Sequence, residues 1–253
     1  MFTNVIVRKP GRSLVDGITS ASFGKPGYET ALRQHAGYIE ALKQCKVKVT
    51  VLEADEKYPD SVFVEDTAVL TEKCAVITNP GAPSRRGEEV SIERSLEKFY
   101  TCIERIQSPG TLEGGDVMRV GNHFYVGLSA RTNKDGLRRF TEILSRYGYK
   151  SSGIEMKEFL HLKTGLAYLE NNNLLITGEF IGRPEFKKFN RIEIDPSESY
   201  AANCIWVNDK VLVPLGYPKT RAAIEAAGYE TLEVDVSEFR KLDGGLSCLS
   251  LRF

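Results

Sequence analysis

Net charge is what this sequence lacks first: 34 lysines and arginines are matched by 34 aspartates and glutamates. No overall field draws the chain to a polyanion, so neither nucleic acid nor a membrane is an expected partner. Selection among ligands falls to local charge. No apolar run approaches the roughly 20 residues of a membrane span, and Met1–Arg8 has no signal-like apolar region. The five cysteines, at 45, 74, 102, 204 and 248, are odd in number and contain no C-x-x-C pair. That argues against a disulfide framework or a redox pair. Histidine is scarce as well, at 35, 123 and 161 only, without the spacing of a zinc site. No Gly-rich dinucleotide turn follows a first strand. The expectation is a reduced, cytoplasmic protein without metal or organic cofactor.

What is present is the material of a folded domain. At 253 residues the chain is long enough to bury a core. Its 42% hydrophobic and 27% charged residues exclude a disordered chain. One domain over residues 1–253 is expected.

The chain repeats itself. Asp66–Thr78 reads as a strand, a polar tip and a second strand, and Asp116–Gly127 repeats the pattern 50 residues later. Gly165–Ile176 and Asn203–Val213 are further copies. The tips Gly121-Asn122 and Asn208-Asp209 carry hairpin chemistry. Helical spacing follows several copies, at Glu88–Phe99, Asp135–Tyr147 and Lys219–Ala227, and each leads to a short strand. A hairpin–helix–strand unit cannot bury its apolar face alone, so repeats must pack around a common centre. A strand at Asn4–Val7, a helix over Tyr28–Cys45 and a strand at Val47–Leu52 supply most of a fifth unit. The alternating tail, with Leu249, Leu251 and Phe253 on one side, would complete it. This predicts a closed α/β ring rather than a doubly wound sheet.

Polar residues gather where these units begin. Asp60–Asp66 offers three carboxylates, Glu113–Asp116 two, His161 an imidazole, and Gly244-Gly245-Leu246-Ser247-Cys248 a thiol. The alternation predicts Cys248 at the mouth of the last strand. Pseudo-symmetry would bring these groups to one end of the axis. Carboxylates recognise a planar guanidinium through paired hydrogen bonds, a thiolate is the nucleophile that could attack its carbon, and a histidine can move the protons.

Leu14-Val15-Asp16-Gly17, Phe63-Val64-Glu65-Asp66, Ser84-Arg85-Arg86-Gly87, Leu112-Glu113-Gly114-Gly115-Asp116, Ser129–Asn133, His161–Gly165, Glu198–Asn203 and Gly244–Phe253 occur in order. Together they resemble the bacterial-type dimethylarginine dimethylaminohydrolases, in the guanidine-modifying superfamily with a five-bladed α/β propeller (pentein) fold. The resemblance covers essentially the whole chain. It implies hydrolysis of Nω-methylated arginines to citrulline and a methylamine, through a covalent thiouronium on cysteine. It also implies Cys248 as nucleophile and His161 as its acid/base partner. Glu113, counted with the catalytic set, and Asp66 would hold the guanidinium. Arg85 and Arg131 would bind the substrate α-carboxylate. Asp60 and the backbone near Ile18 would bind its α-amino group, under a loop of residues 14–27 acting as a lid. The expected partner is this small molecule; a homodimer is compatible with the sequence.

Blander readings stand beside these. In a strand only one of Glu65 and Asp66 faces a given side; Asp66 is preferred for the site, and Glu65 is kept as a second candidate among the substrate-binding residues. Arg85-Arg86 also reads as an exposed turn. His123 is expected in solvent at a hairpin tip, and His35 in the core. Trp206 and Cys45, Cys74, Cys102 and Cys204 are expected in the core too. An arginine deiminase or an amidinotransferase shares the chemistry, but deiminases of the superfamily carry an added helical module for which this chain has no room. A non-catalytic propeller that keeps ribosomal subunits apart predicts no Cys–His pair.

Overall fold

Runs of three to six alternating residues, broken by turn residues, make strands too short to build one large sheet. The computed structural model, which describes residues 1–253, distributes them over five separate three-stranded sheets. In chain order the elements are β1 (Asn4–Arg8), α1 (Tyr28–Gln44) and β2 (Lys48–Leu52). Next come β3 (Ala68–Leu70), β4 (Ala75–Ile77), α2 (Glu89–Leu96) and β5 (Ile103–Arg105). The third unit is β6 (Val117–Val120), β7 (His123–Leu128), α3 (Lys134–Arg146) and β8 (Lys150–Glu155). A one-turn helix α4 (Leu162–Gly165) opens the fourth, β9 (Leu166–Tyr168), β10 (Asn173–Ile176) and β11 (Asn190–Glu193). The fifth is β12 (Ile205–Val207), β13 (Lys210–Pro214), α5 (Pro218–Ala226) and β14 (Glu230–Val234). The short helix α6 (Ser237–Arg240) leads to β15 (Leu251–Arg252).

Each sheet has the same plan. A first strand runs antiparallel to the middle strand, and the middle strand runs parallel to the last, as in β6–β7 and β7–β8. The parallel step needs a crossover, which the helices provide. In the fourth unit two 3-10 turns, Gly178–Phe180 and Pro184–Phe186, take the helix's place. The tail supplies the missing first strand of the first unit: β15 pairs antiparallel with β1, with Val5 opposite Arg252.

Ring closure follows from the period-2 alternation of the middle strands. Each points successive side chains into two different gaps. Val5 and Val7 pack with Ile205 and Leu212 of the fifth unit, while Ile6, between them, packs with Ala68 and Ala75 of the second. Val76 and Val126 fill the gap between the second and third units, Tyr125 and Leu174 that between the third and fourth, and Leu175 and Val213 that between the fourth and fifth. Five core clusters thus fill five gaps around one axis. Helix α3 shows how the outside is closed. It buries Phe140, Ile143 and Leu144, turns Arg138 and Glu142 outward as an ion pair, and starts at Asn133, whose side chain accepts the Gly136 N–H at 2.7 Å. Such a cap is worth ~1 kcal/mol.

Four local expectations change. Cys248 lies in a 3-10 turn, Ser247–Leu249, and the strand begins only at Leu251. Cys102 is exposed in the loop before β5, since that strand is too short to reach it. Trp206 is half-buried on an inner strand against Phe2. His123 begins β7 half-buried and bonded to the Ser152 hydroxyl at 2.8 Å, because it is the first paired residue rather than the tip. His35 is buried against Phe239, as its helical stripe implies. No helix is long and apolar enough to cross a membrane.

Candidate active site

The segments that enter the inner strands converge on one end of the axis. A cleft of about 140 Å³ there is lined by Cys248, His161, Asp66, Asp60, Arg85, Arg131 and Ile18, among others. Cys248 is held by its turn, and the Gly245 N–H lies 3.5 Å from its sulfur. His161 immediately precedes α4. Its orientation is set from two sides: Nε2 bonds Glu113 Oε2 at 2.8 Å, and the next backbone N–H, of Leu162, donates to Asp116 at 3.0 Å. Asp116 also accepts the Ser129 hydroxyl. A Cβ on Gly115 would stand 2.7 Å from His161 Nδ1 and 2.8 Å from Asp66 Oδ1, so only glycine lets imidazole and carboxylate approach here.

The carboxylates divide by neighbour. Asp66 stands in the cleft wall and accepts the Gly115 N–H at 2.9 Å and Arg85 at 2.6 Å. Glu113 is not in the wall. It is fully buried behind His161, with its other oxygen taken by the Gly81 N–H and approached by Arg131 at 3.4 Å. Glu113, expected to contact the guanidinium directly, thus lies behind His161 and is hydrogen-bonded to it. Glu65 is turned out of the cleft altogether. Its carboxylate bonds Lys163, Ser247 and Arg252 at 2.7, 2.7 and 2.9 Å and borders a second cavity, of about 570 Å³, that runs along the inner strands. This corrects its expected place among substrate-binding residues: the Val64–Thr67 turn sends neighbouring side chains to opposite faces.

The arginines also separate. Arg85 is buried, not an exposed turn, and is committed to Asp66, Glu88 and the Asp60 and Phe63 carbonyls. Arg131 is half-buried, with only long contacts to Glu113. Asp60 receives the Ile18 N–H on both oxygens, at 3.1 and 3.2 Å, and Asp243 receives the Ser20 N–H at 2.6 Å. The loop of residues 14–27 is thereby fastened over the cleft. Sequence spacing missed two structural partners, Asp116 and Glu88. Asp116 was visible only as one acid in the Glu-Gly-Gly-Asp stretch, and Glu88 had no signal at all.

Electrostatics fix the protonation states. Burial disfavours a charged His161, yet Asp66, Asp116 and the bond to Glu113 lift it to about 9. Burial also works against the Glu113 carboxylate, but His161, Arg85 and Arg131 hold it down to about 2. Burial, with the charges of Glu65 and Asp66, pushes the Cys248 thiol up to about 12. The resting cleft therefore contains an imidazolium and a neutral thiol. Asp66, Glu113 and His161 bring ligand atoms within 4.8 Å of one another, a cluster assembled from three units that linear spacing could not show. Arg85, Arg131 and backbone N–H groups already occupy part of its lone-pair capacity.

Comparisons with known proteins agree with this geometry. A model of the family "N,N dimethylarginine dimethylhydrolase, eukaryotic" matches residues 24–192. The N(G),N(G)-dimethylarginine dimethylaminohydrolase of Pseudomonas aeruginosa is 58% identical, with all of both chains covered. The chain belongs to the dimethylarginine dimethylaminohydrolase family. A cysteine-to-serine variant of the Pseudomonas aeruginosa enzyme, complexed with citrulline, superposes at a TM-score of 0.99 with 57% identity over all of both chains. A histidine-to-glycine dimethylarginine dimethylaminohydrolase in adduct with S-methyl-L-thiocitrulline also reaches 0.99, at 57% identity and full coverage of both. The fold is the five-bladed pentein propeller of these enzymes.

Proposed function

We propose that this chain hydrolyses asymmetric dimethylarginine and monomethylarginine to citrulline and dimethylamine or methylamine, with residues 1–253 acting as one propeller. The observation that carries the reading is the Cys248 thiol in one cleft with the His161 imidazolium and the Asp66 carboxylate. Asp66 pairs with the substrate guanidinium. Arg131, less committed than Arg85, takes the α-carboxylate, while Arg85 holds Asp66 and the cleft floor. The α-amino group falls to Asp60 and the backbone at Ile18, once the loop of residues 14–27 readjusts.

The chemistry follows from the charges. A bound guanidinium offsets the negative field of Glu65 and Asp66 on the thiol, and Cys248 releases its proton to solvent water. The thiolate forms an S–C bond to the guanidinium carbon. His161 gives its proton to the departing amine, and the C–N bond breaks to leave a thiouronium. His161, now neutral, takes a proton from water; the hydroxide attacks the same carbon, and the C–S bond breaks as the adduct's hydroxyl proton passes to the departing sulfur, releasing citrulline and restoring the Cys248 thiol and the imidazolium. Splitting the substitution in two lowers each barrier, and a placed histidine contributes ~10²–10⁴-fold.

The imidazolium is equally placed to protonate ammonia departing from arginine itself, which is the deiminase reading. Citrulline release from dimethylarginine, monomethylarginine and arginine separates the two. The proposal expects turnover of both methylated substrates and far weaker action on arginine; comparable kcat/KM on arginine would move the assignment. A cytoplasmic location and a homodimer belong to the same proposal, and sedimentation of the purified chain decides the latter.

A further inference from the structure

Residues just outside the cleft must hold the nucleophile and the proton carrier at a fixed separation, because they come from opposite parts of the chain. Cys248 is in the closing segment of the first unit and His161 at the entry to the fourth. A single side chain from the fifth unit touches the neighbours of both. Asn203, buried at the end of the Pro196–Ala202 turn, accepts the Ser247 N–H on Oδ1 at 2.8 Å. Its Nδ2 donates to the Ser247 hydroxyl and to the Lys163 carbonyl, each at 3.1 Å. Both amide hydrogens and the oxygen are thus used, with one residue before Cys248 and one two residues after His161.

We propose that Asn203 is a positioning residue for the reaction: its amide clamps the Ser247–Leu249 turn to the segment after His161 and so sets the spacing of thiol and imidazole. The inference rests on Cys248 and His161 being the reacting pair. Two further contacts support it. Gly245 lies against the amide so closely that a Cβ there would be 2.5 Å from Asn203 Cγ, so the turn is built around this side chain. The Ser247 hydroxyl, receiving from Asn203, passes its own hydrogen to Glu65 Oε2 at 2.7 Å, which extends the clamp to the second unit. Asn203 itself is not among the residues lining the cleft. Its loss should disturb the geometry of reaction more than the binding of substrate.

The test uses Asn203→Ala and Asn203→Asp in the full chain. The aspartate keeps the shape and the acceptor for the Ser247 N–H but loses both donated bonds, and it carries the test if the alanine chain does not fold. For each, kcat and KM on dimethylarginine are measured per folded molecule, alongside the rate at which iodoacetamide alkylates Cys248. Misplacement of reacting groups by about 1 Å costs on the order of 10²-fold. The expected result is a kcat lower by roughly 30- to 100-fold with KM within about threefold, while alkylation, which needs no imidazole in register, falls less than about threefold. A residue that only fastens the units together would lower Tm and leave kcat per folded molecule near wild type. That result, or a raised KM with kcat unchanged, overturns the proposal. A wild-type chain that forms no citrulline refutes the proposed function instead, so the two failures are told apart.

Discussion

Two faces of the same axial ring carry nearly the same residue types and do opposite things with them. On the channel side, Glu65 meets Lys163, Arg252 and Ser247, so its charge is matched by two cations. On the cleft side, one residue further along the same segments, Asp66 and Cys248 stand with His161 around an open space. The pairs Glu65–Asp66 and Ser247–Cys248 each put one member on either face. Both faces hold paired charges, Glu65 with Lys163 and Arg252 on one and Asp66 with Arg85 on the other, but only the second opens onto a cleft that also holds a thiol and an imidazole.

The largest way to break this contrast is at the thiol. Cys248→Ser should leave no measurable citrulline, because a hydroxyl is far harder to ionise than a thiol whose pKa is already about 12. Substantial residual turnover would mean the nucleophile lies elsewhere.

The same neutralising substitution on either side sharpens it. Glu113→Gln removes the charge behind His161, and kcat should fall by about a hundredfold, the scale of a lost proton carrier. The alkaline limb of the pH–rate profile should move to lower pH, since His161 loses one of the groups that raise it. Glu65→Gln, on the channel side, should leave KM within about threefold. A kcat loss from Glu65→Gln as large as that from Glu113→Gln would erase the distinction between the faces.

The arginines extend the contrast from catalysis to stability. Arg131→Ala should lower kcat/KM by about 10–150-fold with Tm unchanged, from one charge-assisted bond of ~1.5–3 kcal/mol to the substrate. Arg85→Ala leaves Asp66 and Glu88 buried without their partner. It should cost ~3–5 kcal/mol of stability, read as a large drop in Tm. A thermally silent Arg85→Ala would restore it to the surface turn that its sequence suggests.

The smallest effect is in the pH dependence of Tm. His161 is raised from 6.5 to about 9 in the folded state. Its contribution is full below pH 6.5 and lost as pH rises through 9. Glu113 is lowered from 4.5 to about 2, so its contribution is present above pH 4.5 and lost as pH falls through 2. The difference in Tm between wild type and His161→Gln should shrink between pH 6.5 and 9. A difference flat across that window would indicate an imidazole not paired with Glu113.

The ring was legible from the repeats because each hairpin announces its own period and turn. The closing strand was legible because an alternating tail needs a partner. What the spacing could not show is which way a side chain turns in the tight segments before the inner strands. Strand alternation placed Cys248 at a strand mouth, but a 3-10 turn holds it. The same reasoning put Glu65 and Asp66 on opposite sides, although a 3-10 turn and not a strand contains them. Glu113 looked like a second ligand for the guanidinium, because only the fold reveals His161 standing in front of it. Arg85 looked like a carboxylate anchor or else an exposed turn, because its partners Asp66 and Glu88 are matched to it in space by a turn, not by periodicity. Groups whose role is to hold another group, such as Asp116 and Asn203, leave the weakest trace, since their partners are backbone atoms of distant segments.

The central claim is that Cys248 attacks the amidine carbon while His161 carries the protons, and one trapping measurement addresses it most directly. His161→Gly is incubated with S-methyl-L-thiocitrulline, whose methanethiol departs without an acid. Intact-protein mass spectrometry and peptide mapping then follow the chain. The account predicts a single stoichiometric adduct that persists, because no base remains to activate water, and that maps to the C-terminal peptide containing Cys248. An adduct on Cys45, Cys74, Cys102 or Cys204, or none at all from folded protein, would contradict it.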